Sequence, residues 1–264
     1  MVTIPSRLAS VSAGETLEIR QLRRTFGSVQ AISDMNLTVN PGEIVALLGP
    51  SGCGKSTVLR LIAGLDHATS GGVWVGSERV TGPSAQRGLI FQSHCLFPWL
   101  TVRRNIEAGL IACGGRKKHP TAAADYMELM GLTEFADCYP SQISGGMAQR
   151  VALARALISH PDFLLLDEPL GALDQFTRIR MQDEILRVWE KSGTTMVLVT
   201  HDIDEAIYLC DRIAIMTPRP GRLESVIPVP FPRPRRRTDP EFMNLRAEIL
   251  EMLHLAGNQI SASG

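Results

Sequence analysis

Eight residues, Gly49-Pro50-Ser51-Gly52-Cys53-Gly54-Lys55-Ser56, narrow the folds open to this chain more than anything else in it. They follow the apolar run Ile44–Leu48 and open a helical pattern, residues 56–63, that Gly64 closes. G-x-x-x-x-G-K-[ST] between a strand and a helix is a phosphate-binding loop rather than an ordinary glycine-rich turn. Its glycines let backbone N–H groups converge on a β-phosphate, and the helix N-terminus adds partial positive charge. Lys55 then reaches the β/γ oxygens and the Ser56 hydroxyl ligates Mg²⁺.

Three more strand-like apolar runs end in polar residues: residues 88–91 before Gln92, 163–166 before Asp167, and 195–199 before Thr200 and His201. Runs that are continuous rather than alternating suit strands buried on both faces, so the expected class is α/β. Polar residues at the carboxyl ends of such strands are where open α/β sheets bind ligands. Helices are predicted over residues 122–130, 147–159 and 176–191, bounded by Gly131, Pro161 and Gly193. Between Leu96 and Ile143 the strand signal gives way to helical pattern, which predicts an inserted helical subdomain of about residues 96–158. From Ile227 the chain changes character. Pro228, Pro230, Pro232 and Pro234 break regular structure, Arg233 and Arg235 to Arg237 add charge, and residues 241–255 form a final helical pattern. The expected division is one domain over residues 15–230 and a Pro/Arg-rich extension over 231–264, with its arginines read as a solvated basic run.

With 44% hydrophobic and 20% charged residues, the 264-residue chain has a globular composition. Its 27 Lys+Arg balance 27 Asp+Glu, which argues against a nucleic-acid-coating protein or a polybasic membrane binder. No apolar run approaches the ~20 residues of a membrane span. The opening residues lack a signal-like apolar stretch, so a cytosolic location is expected. Five cysteines, with no CxxC pair and no zinc-ligand spacing, read as reduced and mostly buried thiols.

Two further clusters carry chemistry. Asp167-Glu168 ends a buried run, where Asp167 can hold a metal and its water and leave Glu168 free as a general base; in an isolated acidic pair Asp167 could merely cap a turn before Pro169, a reading the phosphate loop disfavours. Ser144-Gly145-Gly146 stands at a helix start with free amides, which makes a second anion site or an ordinary N-cap.

In the order of these motifs the chain resembles the nucleotide-binding subunits of ATP-binding-cassette transporters, from about residue 15 to 255. The resemblance implies a P-loop NTPase (RecA-like) core with antiparallel β elements and an inserted helical subdomain. It makes residues 49–56 the Walker A loop, with Thr57 beside it in the ATP-binding set, and Gln92 the Q-loop residue touching Mg²⁺ and the attacking water. Ser144, Gly145 and Gly146 become the signature, Asp167 and Glu168 the metal ligand and base, Gly171-Ala172-Leu173-Asp174 the D-loop, and His201 the γ-phosphate contact. Phe26, which as a lone aromatic could equally be core, falls where the family stacks a ring on adenine; His201 and Gln92 likewise have plain readings as a core histidine and a loop amide. Two such domains pair head to tail in the family, so a homodimer or paired ATPase subunit is implied. So are an integral membrane permease, an extracytoplasmic substrate-binding protein, the cytoplasmic face of the membrane, and no nucleic acid.

The signature here reads Ile143-Ser144-Gly145-Gly146-Met147, with methionine where the family most often has glutamine. That departure, with residues 97–102, 170–174 and Pro218-Arg219-Pro220-Gly221-Arg222, resembles the nitrate, sulfonate and taurine import subfamily. Two competing classes share part of this pattern. A soluble cassette protein of DNA repair, chromosome structure or translation would not need a permease; a kinase or GTPase would not need Ser144 to Gly146.

Overall fold

The computed structural model describes residues 14–261 except 94, 113–120 and 172, with side chains described to residue 254. Cys113 and Ala172 therefore lie outside the described residues, as does the opening segment. Two compact units divide the chain: Gly14–Pro83 with the part from Thr195 onward, and Ser84–Thr194.

In the first unit, β1 (Leu17–Phe26) and β2 (Val29–Val39) pair antiparallel, and β1 continues onto β4 (Ser70–Val75) and β5 (Glu78–Arg79) in the order β2-β1-β4-β5. Along β2, buried Met35, Leu37 and Val39 alternate with exposed Asn36 and Thr38, the period-two pattern of a sheet with one covered face. The second sheet of this unit centres on β3 (Ile44–Leu48), all five residues of which are buried. Parallel neighbours β8 (Thr195–Thr200) and β9 (Arg212–Met216) flank it in registers Ile44↔Met196 and Val45↔Arg212, and β10 (Leu223–Pro228) adds antiparallel to β9. Helices α1 (Lys55–Ala63) and α6 (Ile203–Leu209) pack on these strands, and α7 (Pro240–Ser261) packs on α6.

In the second unit, β6 (Arg87–Ile90) and β7 (Phe163–Asp167) pair in parallel. Between them run α2 (Val102–Ala112), α3 (Ala122–Leu129) and α4 (Gly145–Leu157), with α5 (Gln175–Ser192) after β7. Helix α4 buries Val151, Ala152, Leu153, Ala154 and Leu157, so it is enclosed nearly all round. Asn105 on α2 is fully buried, and its amide replaces missing turn hydrogen bonds: Oδ1 accepts from Phe97 N at 2.8 Å, while Nδ2 donates to the carbonyls of Phe97, Leu100 and Thr101 at 2.9–3.1 Å. Among the described residues, no helix is long and apolar enough to cross a membrane.

Two expectations are corrected. The tail arginines are not a solvated run: Arg235 is buried and Arg233 largely so, because each faces backbone carbonyls at the end of α6, and only Arg236 of the group is exposed. Nor are the thiols mostly buried: of the described cysteines Cys53 and Cys210 are, whereas Cys95 is exposed and Cys138 intermediate.

Candidate functional site

The phosphate loop is shaped by where β3 must stop and α1 must start. Gly54, the N-cap of α1, has φ 99°, a region closed to side-chain-bearing residues, and a Cβ there would stand 2.4 Å from Ile32 Cδ1. Val58 N donates to Gly54 O at 2.9 Å, which starts the helix. Pro50, Ser51, Gly52 and Ser56 are exposed, while Gly49, Cys53 and Lys55 are buried. The Lys55 ammonium folds over its own loop, donating to Gly49 O at 2.7 Å and Pro50 O at 2.9 Å, with Cys53 Sγ at 3.8 Å. Burial raises the pKa of the Cys53 thiol, and the charge of Lys55 opposes that shift. The result is a positive helix end with a tethered cation, which is an anion site by construction.

The same unit places two other expected residues at its surface. Phe26, at the end of β1, is 46% exposed with the Arg24 guanidinium 4.1 Å from its ring centroid, so it is no core aromatic. His201 follows β8 and is exposed too, which disposes of its reading as a core histidine. Behind the phosphate loop the segment 218–222 is pinned in place: Gly221 N donates to Ala31 O at 2.9 Å and Ser33 N donates to Gly221 O at 2.9 Å. The Arg219 Nη2 lies 3.9 Å from where a Cβ on Gly52 would stand. Sequence reasoning noted this segment only as a likeness and missed its contact with the loop.

In the second unit, Asp167 closes β7 and Glu168 turns away from it with φ 45°, a left-handed conformation that costs a non-glycine residue roughly 1–2 kcal/mol. Gly171 N donates to Glu168 O at 3.2 Å, which stabilises that turn. Gln92, two residues beyond β6, donates from Nε2 to Glu168 Oε2 at 3.3 Å. The carboxylate and amide that sequence reasoning placed 76 residues apart thus meet directly.

Ser144 caps α4 by accepting from Met147 N at 3.3 Å. The cap uses the backbone of residue 147 alone, so methionine serves it as well as glutamine would. Asp174 caps α5, accepting from Phe176 N at 3.1 Å and Thr177 N at 3.0 Å. Hydrogen bonds from the Thr177 side chain and from the Thr177 and Phe176 amides hold its carboxyl below the usual range. The two helix starts adjoin: a Cβ on Gly146 would stand 2.7 Å from Thr177 Cγ2, and one on Gly145 3.7 Å from Leu173 Cδ2. Exposed Ser144 and Gly145 therefore share an edge with the residues around Asp174. Asn105 was also missed. Nothing in its sequence context distinguishes an amide that will organise a turn five to eight residues upstream.

Comparison with known proteins agrees with this chemistry. The family profile described as ABC transporter matches residues 32–171. The aliphatic sulfonates import ATP-binding protein of Bacillus anthracis is 46% identical over 246 residues, which span 92% of this chain and 97% of that protein. The protein of the same name from Bacillus licheniformis is 46% identical over 89% of this chain and 93% of its own length. Among solved structures, an ATP-binding cassette in a dimeric post-hydrolysis state bound to ADP and Pi superposes with a TM-score of 0.70 at 31% identity, covering 81% of this chain and 99% of that one. A glycine loop over a helix N-terminus, a Gln–Glu contact beside a buried strand and these likenesses lead to one family: the chain belongs to the ABC transporters, as an ATP-binding and ATP-hydrolysing subunit.

Proposed function

We propose that this subunit hydrolyses ATP to drive uptake of an aliphatic sulfonate, or a similar small solute such as taurine or nitrate, through a separate membrane permease. The observation that carries the reading is the near end-to-end likeness to aliphatic sulfonates import ATP-binding proteins, at 46% identity over 92% of the chain. Residues 49–57 hold the triphosphate, with Lys55 on the β/γ oxygens, and Phe26 stacks on adenine. Glu168 takes the proton of the attacking water, which Gln92 helps to orient, and His201 contacts the γ-phosphate. Ser144, Gly145, Gly146 and Asp174 serve the nucleotide of a second ATPase subunit, identical or paired.

Magnesium fits the side chains present. The Ser56 hydroxyl is exposed on the first turn of α1, and Asp167 ends a buried strand. Among the described residues no three His, Cys, Asp or Glu side chains cluster into a cage. A cation that retains waters and shares phosphate oxygens needs only one or two protein ligands. Ser56, Gln92 and Asp167 are the residues proposed to hold it, and when bound it neutralises charge on the phosphates.

The surface at residues 95–100 is where a permease helix docks in this reading, at the cytoplasmic face of the membrane. Trp99 is 70% exposed and Phe97 39%, their ring centroids 5.6 Å apart, and Asn105 fixes the turn that presents them. The test is ATP hydrolysis by the assembled complex of this subunit, its permease and an extracytoplasmic substrate-binding protein. Binding protein loaded with a sulfonate, taurine or nitrate is expected to stimulate turnover several-fold. Stimulation confined to an unrelated class, such as a sugar, would contradict the assignment.

A further inference from the structure

We propose that the proline- and arginine-rich segment 229–237, together with Arg246 of the helix that follows it, is a clamp that positions His201 through helix α6. The proposal rests on the reading of His201 as a γ-phosphate contact.

Helix α6 has only seven residues, about 10 Å of rise, and a helix that short does not hold itself in water. Both its ends must be fixed from outside. At the start, Asp202 Oδ1 accepts from Glu205 N at 3.1 Å and Thr200 Oγ1 accepts from Asp202 N at 3.0 Å. The Thr200 hydroxyl in turn donates to the buried Glu205 carboxylate. His201 is the residue directly before the Asp202 cap, so its place is set by this first turn.

At the other end α6 has no glycine cap; Cys210 is extended, with ψ 155°. Its last carbonyls go to the tail. Arg235 Nη1 donates to Ile207 O and Cys210 O, each at 2.6 Å, and to Tyr208 O at 3.4 Å, while Nε donates to Phe231 O at 3.2 Å. Arg233 Nη2 takes Leu209 O at 2.6 Å. Two guanidinium groups thus occupy the negative end of the helix dipole. Arg237 lies over the Tyr208 ring at 4.1 Å, and Arg246 of α7 holds Asp204, in the first turn, at 2.7 Å. The tail grips α6 along its whole length.

The clamp also refers α6 to the strand that carries the phosphate loop. Arg233 Nη1 pairs with Asp211 Oδ1 at 2.6 Å, and the other oxygen of that carboxylate accepts from Ile44 N, the first residue of β3, at 2.9 Å. One carboxylate therefore ties the tail, the end of α6 and the start of β3. A shift of α6 relative to β3 moves His201 relative to residues 49–56 without changing any residue of the phosphate loop.

Such a role separates turnover from nucleotide binding, which a purely structural one does not. The experiment compares full-length Arg235→Lys, Arg246→Ala and His201→Ala with the parent, each first shown folded by circular dichroism. Lysine keeps the charge but lacks the fork that reaches four carbonyls. Arg246→Ala removes a surface contact, so it decides the matter should Arg235→Lys fail to fold. Expected are a fall in kcat of at least fivefold for Arg235→Lys and at least twofold for Arg246→Ala, with Mg-ADP affinity within twofold of the parent. Adding Arg235→Lys to His201→Ala is expected to slow turnover no further, and hydrogen exchange is expected to rise at the α6 amides before those of β3. Folded clamp variants that turn over at the parent rate, while His201→Ala is slow, overturn the clamp alone. His201→Ala at the parent rate overturns the reading of His201, and the clamp with it.

Discussion

Lys55 and Arg235 show how this protein accommodates a buried cation: both spend their donors on backbone carbonyls rather than on carboxylates. For Arg235, burial first and the like charge of Arg233 second lower the pKa to about 10, still far above neutrality. The buried thiols respond in the opposite sense. Desolvation raises Cys53, and raises Cys210 well above its usual value with help from the charges of Glu205 and Asp211. A thiol whose folded pKa is raised contributes its full stability below the unfolded value of about 8.5 and loses it as pH climbs beyond that, because the unfolded chain ionises first. Denaturation midpoints are therefore expected to fall between about pH 8 and 10, and Cys210→Ala should show the shallower decline. Equal slopes for the two proteins would exclude the thiol as a source. The carboxylates of Glu205 and Asp211 are chain neighbours of Cys210 and legible in the sequence, whereas the opposing charges of Arg233 and Arg235 arrive from the tail and are not.

Among the elements, the crossing of α2 and α4 depends on Gly109. A Cβ there would stand 2.2 Å from Arg155 O and 2.7 Å from Ile158 Cγ2, and backbone cannot move aside cheaply. Alanine would gain about 1 kcal/mol of helix propensity but cost more in overpacking, whose range runs to about 3 kcal/mol. Gly109→Ala is accordingly expected to lower stability by roughly 1–2 kcal/mol and the melting temperature by several degrees, as read in a thermal melt; an unchanged or higher melting point would show that the helices can separate. Strands and helix ends were legible wherever local chemistry decides them. The run Ile44–Leu48 suits a doubly buried strand and forms one, and Gly64 and Gly193 close α1 and α5 with φ of 75° and 63°. The final helix was legible in residues 241–255, but the contacts of the tail arginines were not, because an arginine bound to helix carbonyls and one bound to water have the same sequence. The candidate site residues were proposed from their order along the chain. The geometry that joins Gln92 to Glu168, or Gly146 to Thr177, came only from the fold.

At the scale of the whole molecule, the exposed edge formed by Ser144, Gly145 and Phe176, the last 80% exposed, is the surface proposed to meet a second ATPase subunit across a shared ATP. The solved ATP-binding cassette bound to ADP and Pi is dimeric. If hydrolysis is what releases the pair, blocking chemistry without blocking binding should trap it. Glu168→Gln keeps the side chain's size but cannot accept a proton, and loss of a general base typically slows chemistry by ~10²–10⁴-fold. Lys55→Ala is the control, because it removes a phosphate contact and so weakens nucleotide binding itself. The decisive measurement is ATP turnover together with sedimentation in Mg-ATP for parent, Glu168→Gln and Lys55→Ala. A Glu168→Gln protein that binds ATP, barely hydrolyses it and sediments as a dimer, beside a monomeric Lys55→Ala, is the expected result; Glu168→Gln hydrolysing ATP at the parent rate would contradict the account.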